Sequence, residues 1–174
     1  MQGAAQAFVD AVYLNCIPSV LQRKGIGELP NTESTVFNKV PKGEDTLFFR
    51  NAGSEEVYAI AGGTVALESR SLDECNVASY GIPVAGVFEV VEASITQPSY
   101  GFSEPIEGGR GFDGVVRRIF QKDQDGRRIS VVLSGNEPGA PGTRSRFSTV
   151  LAFVSANEIE NAPEANKGKE KQDD

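Results

Sequence analysis

The sequence predicts an α+β domain: an N-terminal helix and a second helix packed on one face of a mainly antiparallel β-sheet. Three observations carry that expectation. Apolar residues near the start recur at helical spacing, the period then changes to short alternating runs parted by glycine and proline, and one later stretch returns to a helical period.

Phe8, Val9, Val12, Tyr13, Cys16 and Ile17 fall three and four apart, with Gln6, Asp10 and Asn15 between them, the pattern of a helix with one buried stripe. Pro18 lacks a backbone donor and its ring clashes one turn back, so this helix is expected to end or kink near Cys16. Pro18 then suits the first turn of a short second helix carrying Val20 and Leu21, which Gly25 stops after Arg23 and Lys24.

Residues 25–32, with Gly25, Gly27, Pro30 and Asn31, read as a loop. Residues 35–40 and 46–50 are short strands around the turn Pro41-Lys42-Gly43, and residues 56–61 and 64–69 flank Gly62-Gly63 in the strongest hairpin signal of the first half. Residues 74–79 place Cys75 and Val77 on one side of a strand, facing the opening helix. Val84, Val87, Phe88, Val91 and Ile95 keep a helical period with Glu89 and Glu92 outside it. Gly86 and the β-branched content favour a strand there, but the spacing outweighs a propensity difference of a few tenths of a kcal/mol per residue, and a helix is expected over 83–94.

Residues 97–114 are aperiodic and read as a long loop. Residues 115–121 and 127–133 are strands joined by the polar turn 122–126, and 136–143 form an open connection to a last strand at 146–155. That strand is apolar on both faces at Val150, Leu151, Phe153 and Val154, which places it centrally in the sheet. From Asn157 the chain becomes charged and lacks core-forming residues, so the expected organisation is one domain over 1–156 and a disordered tail over 157–174.

Composition narrows the function. A net charge of −7 disfavours nucleic acid, which attracts basic faces. The chain has no histidine, which excludes a Ser-His-Asp triad, a Cys-His pair, a histidine proton shuttle and the usual catalytic zinc sets. No metal and no cofactor are expected, and the apolar runs read as too short to cross a bilayer. Cys16 and Cys75, neither in a CxxC arrangement, read either as a structural disulfide or as two reduced core thiols. The disulfide would stabilise the fold by ~4 kcal/mol and would belong to an oxidising compartment. Met1 is followed by Gln2, Gly3 and small residues with no basic region or long apolar core. That start is expected of a chain whose leader has been removed, in the periplasm or secreted, with the cytoplasm as the alternative.

The run Phe8-Val9-Asp10-Ala11 through Cys16 and Pro18, followed by Cys75-Asn76-Val77 and an amphipathic segment, resembles small exported alphaproteobacterial proteins of unassigned function. The resemblance spans residues 8–95 and implies export and a disulfide.

Candidate sites are few. Residues 109–114 match the GxGxxG string of dinucleotide-binding turns, but they follow a loop and precede a strand, where that fingerprint needs a strand before and a helix after. Glu55 with Glu56, Asp73 with Glu74, and Glu104 with Glu107 are local acid pairs that read as solvated turns. Asp123 and Asp125 lack the remaining ligands of a calcium loop. Tyr100, Phe102, Arg110 and Phe112 mix aromatic and arginine side chains as protein interfaces do, and Arg144 and Arg146 join them if the second loop shares their edge. The alternative is that these aromatics fold back over the core. The expected function is therefore a small exported binding domain that acts on another protein, with no catalytic residues. A histidine-free hydrolase using paired carboxylates, or a cytosolic secretion or phage-assembly accessory protein, are the alternatives.

Overall fold

The computed structural model describes residues 3–29, 37–44, 56–60, 64–103, 105–110, 115–139 and 146–159. Among the described residues there are two long helices, α1 (Ala4–Gln22) and α2 (Val84–Ile95). Eight strands accompany them: β1 (Phe37–Lys39), β2 (Glu56–Ile60), β3 (Val65–Ser71), β4 (Glu74–Tyr80), β5 (Ile106–Arg110), β6 (Val116–Gln124), β7 (Arg127–Asn136) and β8 (Thr149–Glu158). They form one sheet of order β1-β2-β3-β4-β8-β7-β6-β5, antiparallel at every pairing. The expected α+β architecture is present, and β8 is central as its two apolar faces require.

Both helices lie on one face. Alternate residues of the strands, among them Leu67, Val77, Val154, Val131 and Leu133, turn inward and join Phe8, Val12, Val20, Val87, Val91 and Ile95 in one core. Tyr13 at the middle of α1 donates its hydroxyl to the Val91 carbonyl of α2 at 2.9 Å, which fixes one helix against the other. The disulfide joins Cys16 of α1 to Cys75 of β4 with α-carbons 5.2 Å apart, and both cysteines are fully buried.

Pro18 does not end the helix. Over Ala11–Cys16 the hydrogen bonds widen to the π pattern, and the helix continues through Ile17–Gln22. The wider turn draws the preceding carbonyls away from the proline ring and absorbs the missing donor. Uninterrupted, the helix spans 19 residues, with a mean hydropathy of 1.3 over a stretch that is 61% buried inside the fold. By length and composition it could cross a bilayer; here it is the central core helix. It stops at Arg23, which adopts a left-handed φ of 52°, two residues before Gly25, and Lys24 N–H closes the end on the Ser19 carbonyl at 3.1 Å.

Other expected boundaries shift for physical reasons. The presumed loop 97–114 contains β5, whose alternation is hidden by Gly108 and Gly109 and by a register shift between Glu107 and Arg110. The turn after β6 is not residues 122–126 but the pair Asp125-Gly126, both at positive φ (53° and 74°), so the strands run to Gln124 and from Arg127. The polar residues there pair across the strands: Arg128 donates twice to Asp123, at 2.9 and 3.2 Å. β8 starts at Thr149 rather than 146 and runs to Glu158, past the point where the tail was expected, and Ile159 N–H bonds the Gly126 carbonyl at 3.0 Å. The strand expected at 46–50, the Gly62-Gly63 turn and the tail from 160 lie outside the described residues.

Two buried phenols tie the fold to pH. Burial pushes the pKa of Tyr13 and Tyr58 well above the usual value near 10, and at Tyr58 the Glu56 carboxylate, 3.0 Å from the hydroxyl, adds to the effect. An acid whose folded pKa is raised stabilises the fold fully below its unfolded pKa, and that contribution is lost as pH climbs toward the folded value. Unfolding free energy is therefore expected to fall above pH ~10 by up to ~1.4 kcal/mol per pH unit for each tyrosine. Urea melts between pH 9 and about 11.5, followed alongside phenolate absorbance, check this. Full ionisation of all four tyrosines without loss of structure would contradict it.

Candidate binding surfaces

Of the six residues expected to form an aromatic and arginine surface, the four described fall at two separate ends of β6: Tyr100 and Phe102 at one, Arg110 and Arg146 at the other. Tyr100 is half-buried with its ring centroid 4.6 Å from that of Tyr13, and its carbonyl accepts the Lys122 ammonium at 2.7 Å. Phe102 is 5% exposed, capped by the same ammonium at 5.0 Å from its ring centre. Burial lowers the Lys122 pKa. These two aromatics close the core at the Lys122 end of β6 and leave little surface for a partner. Arg110 pairs in register with Val116, at the opposite end of β6, about 20 Å away at ~3.3 Å per residue. Arg146 is exposed and precedes β8 at that same end of the sheet, three strands across. Phe112 and Arg144 lie outside the described residues.

The acid pairs have structural partners. Glu56 accepts the Ile26 N–H at 2.9 Å and the Tyr58 hydroxyl, pinning the short turn Ile26–Glu28 to β2. Asp73 accepts Arg127 at 2.7 Å and stands 3.5 Å from Arg23, while Arg127 also bonds the Val20 carbonyl, so this corner holds the end of α1 to β7. Arg128 holds the Asp123 carboxyl below its usual pKa by hydrogen bonding. Glu55, Glu104 and the Glu107 side chain lie outside what is described. The GxGxxG string begins on β5, and the next described element is the strand β6 where that fingerprint needs a helix.

Register reveals a different surface. On the helix-free face Ile106, Ile119, Val132 and Phe153 stand side by side across β5, β6, β7 and β8. Ile106 is 53% and Phe153 39% exposed. Half-buried Leu151 follows two positions along β8, and beyond it Thr149 faces Tyr80, whose ring lies 4.9 Å from that of exposed Phe147. Toward β4 and β3 the row turns polar and closed: Asn76, opposite Phe153, donates to Glu68 at 2.8 Å, and both are buried.

Comparison of the chain with protein-family models, with curated proteins and with solved structures finds no match.

A concavity of about 660 Å³ runs as a trough between α2 and β6, floored by Val84, Phe88 and Val116. It exists because two helices, each about 10 Å wide, cannot cover eight strands. Four charged residues border it: Glu89 and Glu92 on α2, Arg118 on β6, and Glu137 after β7. Glu137 accepts the Val84 N–H at 2.6 Å and the Ser148 hydroxyl at 2.7 Å, capping α2 in place of a local side chain. Sequence reasoning missed both surfaces. Each depends on which strands become neighbours, and no single stretch of chain carries that signal.

Proposed function

We propose that this chain is a small exported domain, periplasmic or secreted, that acts without catalysis by binding another protein through the helix-free face of its sheet. The observation that carries the reading is the apolar row Ile106, Ile119, Val132 and Phe153, exposed at its two ends and half-buried between them. An antiparallel sheet whose helices cover one face ordinarily presents polar residues on the other, and a contiguous apolar band there is the mark of a surface that is covered when the protein works. Leu151 and the Tyr80–Phe147 ring pair extend the band along β8 with the aromatic character that interfaces favour. The buried disulfide supports the compartment, since such bonds persist where the surroundings oxidise.

A photo-crosslinking residue at Val132 is expected to trap one discrete partner in the exported fraction of cells that make the protein. Phe153→Asp is expected to abolish that adduct while circular dichroism shows an unchanged fold. Equal adducts from a crosslinker at Val90, exposed on the outward side of α2, or no adduct at all, would set the reading aside.

A further inference from the structure

We propose that the trough between α2 and β6 is a second binding site, one that takes the basic side chain of a partner polypeptide, lysine or arginine, with its aliphatic stem on Val84, Phe88 and Val116 and its charge among the glutamates. It lies on the helical face and does not depend on the reading of the helix-free face.

Three carboxylates border the trough against one cation. Glu137 has both oxygens engaged by Val84 and Ser148, so it shapes the trough's end and does not recruit a ligand. Glu92 carries an ion pair with Arg118, whose Nε approaches Oε1 to 3.1 Å, but without hydrogen-bond alignment: that oxygen accepts no hydrogen bond among the described residues. That oxygen is buried against the arginine, while the Glu92 side chain as a whole stays about one-third exposed at the trough. Glu89, one turn earlier on α2, is exposed at the rim, and no hydrogen bond or ion pair holds it among the described residues.

Apolar floor and anionic rim together match an amphipathic cation, which buries its methylenes and keeps its head at the edge. Arg118 already demonstrates the fit, reaching from β6 to lay a guanidinium against α2. An anionic ligand would have to displace Glu92 from that arginine and would meet Glu89 at the rim. The overall charge of −7 draws basic partners toward the chain from a distance.

The test is a titration of the intact chain with N-acetyl-arginine methylamide and N-acetyl-lysine methylamide, read by amide chemical shifts. Shifts are expected to concentrate at Phe88, Glu89, Glu92 and Val116. Glu89→Gln, which breaks no contact in the fold, is expected to weaken binding ~5-fold. Glu89→Gln with Glu92→Gln is expected to weaken it further. Asp125→Asn with Glu158→Gln, which changes the net charge by the same amount as that pair but lies on the β6–β7 hairpin and the end of β8, is expected to leave affinity unchanged. Shifts scattered over the acidic surface, equal weakening by both charge-matched pairs, or equal binding of N-acetyl-leucine methylamide would overturn the proposal.

Discussion

A chain carrying Cys16→Ala and Cys75→Ala is expected to lose ~4 kcal/mol of unfolding free energy, the effect of releasing a loop closed across 59 positions. For a domain whose whole stability is about 5–15 kcal/mol, that removes a large fraction. The site of the bond makes the loss cooperative: Cys16 ends the π turn of α1, and Cys75 stands on β4 beside the central strand β8. The apolar stripe of α1 stays in the core of the variant, and Arg127 still reaches the Val20 carbonyl and Asp73. The variant is therefore expected to remain folded in water and to melt earlier. Guanidinium melts of the variant, and of the native chain with and without reductant, give the comparison. A midpoint unmoved by reduction would show that the crosslink contributes nothing.

Gly135→Ala is expected to be the most damaging single methyl added to the sheet, costing ~2–3 kcal/mol. Gly135 lies on β7 where the first turn of α2 crosses it, and a Cβ there would collide with Val84 Cγ1 and stand 3.1 and 3.2 Å from two atoms of the Phe88 ring. Val84 cannot retreat freely, because its own N–H is held by Glu137. Val84→Ala opens the space, so the double variant is expected to recover at least ~1 kcal/mol relative to the sum of the single effects. Thermal melts of the four proteins in the cycle measure this. Gly135→Ala as stable as the native chain would mean that α2 can shift along β7 without penalty.

These two positions also mark how far the sequence could be read. The pairing of Cys16 with Cys75 was legible because each cysteine occupies the inward position of an element whose period is strong: three and four on α1, two on β4. The same regularity carried α2, where Val84, Val87, Phe88, Val91 and Ile95 overrode Gly86 and the β-branched residues, and all five are buried. Gly135 was silent, since nothing local says that a helix will cross there. β5 was lost because Gly108 and Gly109 have no side chains to alternate. Tyr100 and Phe102 could be read either as an interface or as a lid over the core, and Lys122, from another strand, supplies the polar cap that goes with the lid. The helix-free row and the trough rest on cross-strand register, which local periodicity does not encode.

The placement of β8 has a consequence for how the chain acquires its shape. β1 to β4 and β5 to β7 are two meanders, and the last described strand in sequence is wedged between them, paired with β4 on one side and β7 on the other. Until those residues have been synthesised, neither meander can complete its edge, and the contacts that unite them span long sequence separations, which slows the final step. Both cysteines precede β8, so the covalent link between α1 and the first meander can be set while the molecule as a whole is still unfinished.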